Sequence, residues 1–281
     1  MPDYQPNHSP STLGPFHPPK VSRQAIKPSI ARRITIKVTD PLNHSAPAIL
    51  HEPRSETTTT RPPSAVILVS GAGGGVSGPA GIYPSLADKI ALLAHIPVIR
   101  LDYREPARTE YCVADMQACL DWLGDHFSAN RAVVVGWSFG GSPCFTLAAR
   151  ERTRVAGVAT IASQTARTDG VRMLSPRPVL LLHGEEDRVL APSCSKALFN
   201  MYGGEGDREM KLFPGDDHGL TRHAVQVEKK LFGFVVKCLG LSEGLGYEVL
   251  WQAGQDLVGE VGERVKEMEM GRDLEGGERL S

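Results

Sequence analysis

Gly136-Trp137-Ser138-Phe139-Gly140 follows the apolar run Ala132-Val133-Val134-Val135 and leads into a stretch rich in small residues, 140–149. The apolar run reads as a buried strand and the stretch after it as a helix. A chain that passes from strand to helix through Gly-x-Ser-x-Gly turns so tightly that only glycines fit beside the serine. The hydroxyl is held up at the strand end. The N–H groups next to it sit at a helix N-terminus, where developing negative charge is stabilised. A serine in this place also serves as an ordinary helix cap, so its partners decide its role.

Working outward, continuous apolar strands alternate with longer helical stretches from Ala65 onward, the pattern of a parallel sheet covered on both faces. Strands are expected over 66–69, 96–101, 132–135, 155–161, 179–182 and 210–213, and helices over 82–95, 111–127, 193–202 and 225–238. Before them, Ile34, Ile36 and Val38 alternate with polar residues, and Ala48-Ile49-Leu50 is the expected hairpin partner, an antiparallel edge. Residues 55–63 read as a polar loop. The organisation expected is a disordered arm over 1–28, one α/β domain over 29–240, and a weakly structured tail or docked helix over 241–281.

A serine hydroxyl becomes a nucleophile when a base takes its proton, and the base needs an acid to fix its tautomer and stabilise its charge. His183-Gly184-Glu185-Glu186-Asp187 follows one apolar strand and Phe213-Pro214-Gly215-Asp216-Asp217-His218-Gly219 follows the next. Strands of a parallel sheet present their C-terminal ends on one side, so these loops converge with the serine loop. Asp187 is the candidate acid, with Glu185 and Glu186 as rivals. His218 is the candidate base, with His223 as the alternative. His183 has a structural place at its strand end. The glycine-rich Ser70-Gly71-Ala72-Gly73-Gly74-Gly75 leaves an earlier strand at the same end. Backbone N–H groups of Phe139 and Ala72, with Gly73 as neighbour, are the candidate oxyanion donors.

These motifs resemble the α/β-hydrolase superfamily, particularly its small lidless esterase and dienelactone-hydrolase-like members, over about 30–239. The resemblance implies a mostly parallel sheet with helices on both faces. It implies a nucleophile at Ser138, an acid at Asp187, a base at His218, and neither metal nor organic cofactor. Two departures stand out. Ser70-Gly71 replaces the frequent His-Gly start of the oxyanion loop, and Pro143 removes a backbone donor early in the helix after the serine. Residues 162–178 leave no room for a helical cap. Arg104, Arg167 and Arg172 are candidates for meeting an anionic substrate tail, against the ordinary reading of arginines at the surface.

Charge is nearly balanced, 31 Lys and Arg against 32 Asp and Glu, which favours a small molecule over nucleic acid as partner, and the resemblance implies an ester-like one. Five scattered cysteines without CxxC or Cys/His spacing fit a reducing, cytoplasmic compartment. No membrane span or secretion signal is expected. Within hydrolases a carboxylic ester comes first and a thioester or lactone second. Two readings come from other classes. One is a hydrolase-like domain that binds without turnover. The other is dinucleotide binding, because Gly73-Gly74-Gly75-Val76-Ser77-Gly78 satisfies GxGxxG and Asp102 ends the next strand. Against the latter, Pro79 and Gly81 delay the helix that phosphate binding needs at the glycines.

Overall fold

The computed structural model describes residues 13–19, 26, 28–53, 63–271 and 273. Eight strands form one mixed sheet in the order β1-β2-β4-β3-β5-β6-β7-β8. They are β1 (Ile30–Lys37), β2 (Ser45–Glu52), β3 (Ser64–Val69), β4 (Val98–Leu101), β5 (Arg131–Trp137), β6 (Val155–Ile161), β7 (Val179–Gly184) and β8 (Arg208–Phe213). β1 and β2 form the antiparallel edge, β2 pairs antiparallel with β4, and every pair from β4 through β8 is parallel. The polar loop expected over 55–63 lies outside the described residues except for Pro63.

The helices are α1 (Tyr83–Leu93), α2 (Thr109–Phe127), α3 (Gly141–Arg150), α4 (Ser193–Met201), α5 (Ala224–Cys238), α6 (Tyr247–Ala253) and α7 (Val261–Gly271). The largely apolar strands β3, β5, β6 and β7 are buried throughout apart from the half-buried Arg131. One core lies between the sheet and α1 and α5, the other between the sheet and α2 and α3. Burial on both faces is why these strands lack alternation. Residues 162–178 hold only a 3-10 turn at Asp169–Met173, so no cap helix stands over the sheet there. Pro143 falls in the first turn of α3, where the N–H has no helical acceptor, so it costs the helix no hydrogen bond.

Described residues from both terminal regions pack on the domain. In the stretch read as a disordered arm, Leu13 is buried, and Arg100 donates to the carbonyls of Pro15 (2.7 Å) and Phe16 (3.0 Å). In the tail, α7 contributes the buried Met268 to the core beneath α1. No helix of the described residues is long and apolar enough to cross a membrane.

Candidate active site

Trp137 ends β5 in extended conformation and Ser138 follows with φ 54°. A positive φ is costly for a serine, about 1–3 kcal/mol, and persists where the surroundings impose it. The flanking glycines are imposed by space. A Cβ on Gly136 would lie 2.4 Å from Gly140 O, and one on Gly140 would lie 2.6 Å from Ser70 O. No side chain caps the turn or α3, so Ser138 is not a helix cap here.

β6 and β7 continue the sheet beside β5, and their registers bring the 183–187 loop to the same end as Ser138. Asp187 is buried while Glu185 and Glu186 are exposed, which separates the acid from its rivals. Its Oδ1 accepts from the N–H groups of Val189 (2.8 Å) and Leu190 (2.9 Å). Its Oδ2 accepts from His218 Nδ1 at 2.7 Å and lies 3.1 Å from His183 Nε2. Burial opposes ionisation of Asp187, but the hydrogen bonds from His183 and His218 outweigh it and hold the carboxyl well below the usual range.

An ionised carboxylate only accepts, so the His218 proton sits on Nδ1 and the lone pair on Nε2. Nε2 is buried and has no hydrogen-bond partner among the described residues. Trp137, next to the serine, ties the loops together: its Nε1 donates to His218 O at 3.1 Å, and the two rings lie 5.6 Å apart. The base loop is stiffened by two aspartates. Asp216 accepts from Asp217 N, Arg222 N and His223 N, and Asp217 accepts from Gly219 N and Thr221 N. His223, the alternative base, is bound to Asp216 at 2.8 Å rather than to Asp187.

His183 takes a part that the sequence does not reveal. Its Nε2 faces the carbonyl of Leu190 at 2.8 Å, and a carbonyl only accepts, so that nitrogen carries the proton. Its Nδ1 then accepts from Ser195 Oγ at 2.7 Å. One imidazole thus fixes the 187–190 turn and contacts the carboxylate that holds the other.

The glycine-rich loop begins against the elbow, as the Gly140–Ser70 approach shows. Gly74 N–H closes a turn on Gly71 O at 3.2 Å, with Ala72 and Gly73 at its centre and half-buried. Phe139 stacks edge-on against Tyr103, centroids 6.1 Å apart. Two of the GxGxxG glycines face protein: a Cβ on Gly78 would lie 2.3 Å from the Tyr83 ring, and one on Gly75 2.2 Å from Asp273 Oδ1. Asp102 accepts the Gly75 N–H at 2.8 Å, which fixes the loop.

The three candidate arginines each have an acidic partner. Arg104 has a buried side chain that pairs with Asp115 and, at 2.6 Å, with Asp40, and so binds the 102–104 turn to α2. Arg167 is exposed and pairs with Glu110 at 2.8 Å, and Arg172 is exposed beside Asp169. His17, His51 and Asp88 lie close enough together to suggest a metal ion. Arg100 decides against one. Its Nε donates to His51 Nε2 at 3.0 Å, which leaves the His51 proton on the Nδ1 that faces Asp88. Burial, reinforced by the Arg100 charge, lowers His51 to about 4 despite Asp88.

Residues 64–177 match the sequence model of the alpha/beta hydrolase fold. Among solved structures, Est1E from Butyrivibrio proteoclasticus superposes with a TM-score of 0.61 at 15% identity, over 74% of this chain and 99% of its own. It has also been solved with ferulic acid bound. XC6422 from Xanthomonas campestris, described as a serine hydrolase without a lid, gives 0.55 at 17%, over 79% and 98% of the two chains. Dienelactone hydrolase from Anabaena variabilis gives 0.61 at 13%, over 75% and 98%. No curated protein matches the chain. The chain therefore has the α/β-hydrolase fold, with lidless esterases and a dienelactone hydrolase among its structural neighbours.

Proposed function

We propose that this protein is a serine hydrolase that cleaves carboxylic esters through an acyl-enzyme. The observation that carries the reading is the His218–Asp187 pair at 2.7 Å, its second imidazole nitrogen without a partner among the described residues, at the sheet end where Ser138 stands in a strained turn.

Ser138 Oγ attacks the ester carbonyl as His218 Nε2 takes its proton. Asp187 holds the Nδ1–H tautomer and stabilises the imidazolium. The oxyanion rests on the N–H groups of Phe139 and Ala72, each donor worth roughly a hundredfold to a thousandfold in rate. His218 then returns the proton to the leaving alcohol. Water, deprotonated by the same nitrogen, releases the acid and restores Ser138.

Residues 162–178 form no cap helix, and the buried Ser138 and His218 leave little room beside them, a combination that favours small esters. The test is turnover of p-nitrophenyl esters of rising chain length, with a feruloyl ester, an acyl thioester and a lactone beside them. Ferulic acid binding by Est1E is the reason for the aromatic member. Ester turnover that disappears in Ser138→Ala supports the reading. Turnover of the thioester or lactone alone moves the substrate class, and no turnover of any by folded protein favours a ligand-binding role.

A further inference from the structure

α7 packs against the turn Pro79–Gly81, which continues the glycine-rich loop, and against the turn Thr221–His223, which continues the loop of His218. It thereby bridges the two loops that supply an oxyanion donor and the base in the function proposed above. The contact with the glycine-rich loop is close and mutual. Ser77 Oγ–H donates to Glu267 O at 2.8 Å. A Cβ on Gly271 would fall 1.8 Å from Ser77 Oγ, and one on Gly75 would fall 2.4 Å from Gly271 O. Glycine on both sides is what lets the two backbones touch.

The helix is itself anchored. Arg264 Nη2 reaches both carboxylate oxygens of Asp256 at 2.7 Å, and Met268 sits in the core. From the opposite side Arg100 donates to Val76 O at 3.0 Å while also binding Pro15 O and Phe16 O, so the same loop is held by the N-terminal segment. A loop with positive φ at Gly74, Gly75 and Gly78 has little stiffness of its own. An oxyanion donor acts only when its position is fixed before the charge forms.

We infer that the C-terminal segment from Asp256 to Gly271 is a positioning element of the catalytic site, holding the 70–78 loop in the place where the loop stabilises the oxyanion. The inference rests on the hydrolase reading for its effect on rate, and on packing alone for its effect on the loop. Gly271 and Ser77 are the positioning residues.

The test compares full-length wild type, Gly271→Val, Ser77→Ala and Glu269→Ala, the last an exposed control on the same helix. Two readouts are taken: amide hydrogen exchange across the chain, and kcat and KM on p-nitrophenyl acetate. For Gly271→Val, exchange over 71–78 rises at least tenfold while β5 and β6 keep their protection, and kcat falls about ten- to a hundredfold with KM within twofold. Ser77→Ala moves both in the same direction by a smaller factor, and Glu269→Ala moves neither. Unchanged exchange over 71–78 in Ser77→Ala and in folded Gly271→Val overturns the inference. Faster exchange with unchanged kcat overturns it too, leaving the segment a cover. If wild type shows no Ser138-dependent turnover, the hydrolase reading falls while the exchange result still decides whether the segment holds the loop.

Discussion

His183 and His218 reach the same oxygen of Asp187, at 3.1 Å and 2.7 Å. The first, locked by Leu190 O and Ser195, fixes where the carboxylate stands, and the second receives the benefit. Asp187→Asn therefore lowers kcat by about 10⁴-fold, because an amide no longer enforces the Nδ1–H tautomer. His183→Gln lowers it about tenfold with KM little changed, and Glu186→Gln leaves it within twofold. Steady-state kinetics on one ester checks all three. A larger loss in Glu186→Gln than in Asp187→Asn moves the acid to Glu186.

The Asp187 carboxyl is held below the ordinary value of 3.8, so the folded chain binds this proton less readily than the unfolded one. Its contribution to stability is present in full above that value and is lost as pH falls through the folded value. Wild type is expected to unfold at higher temperature than Asp187→Asn at pH 7, with the gap narrowing below about pH 4. Thermal unfolding across pH checks this, and a gap that widens toward acid contradicts it.

Glu267 carries the opposite sign. Burial raises it to about 7, against the pull of Arg100 and with Glu263 adding to the rise. The folded chain then holds the proton more tightly than the unfolded one, so stability falls as pH rises from the ordinary value of 4.5 through about 7. Glu267→Gln stabilises the protein by about 1–2 kcal/mol at pH 8 and leaves it unchanged near pH 4. Urea unfolding at the two pH values measures the difference.

Arg104 is a structural cation. Removing one member of a buried ion pair typically costs about 3–5 kcal/mol, because the partner charge stays buried. Arg104→Ala is expected to lower the unfolding temperature by at least about 5 °C, whereas Arg167→Ala at the exposed pair with Glu110 shifts it by about a degree. A drop in affinity for anionic esters in Arg104→Ala without loss of stability would return Arg104 to the substrate site.

The middle of the sheet was legible because β3, β5, β6 and β7 are buried on both faces and read as apolar runs, and motifs follow the strand ends within a few residues. Ser138, Asp187 and His218 are far apart in sequence, but each follows the C-terminal end of a parallel strand, so strand order puts all three at one end of the sheet. What escaped depends on contacts between distant residues. Nothing in Arg104 announces Asp40, 64 positions away, or in Ser77 the carbonyl of Glu267, 190 positions away. The GxGxxG match shows a related ambiguity. Glycines needed for close approach look the same whether a phosphate or another stretch of backbone approaches. Helix α6 leaves Tyr247 and Trp251 largely exposed, so it offers no apolar period to read.

The central claim is that Ser138 is an activated nucleophile. Intact-protein mass after exposure to a small fluorophosphonate tests it most directly, with wild type beside Ser138→Ala and His218→Ala. The account predicts one adduct on wild type, none on Ser138→Ala, and at least a hundredfold slower labelling of His218→Ala. Folded wild type that takes no adduct, or an adduct that persists in Ser138→Ala, would contradict it.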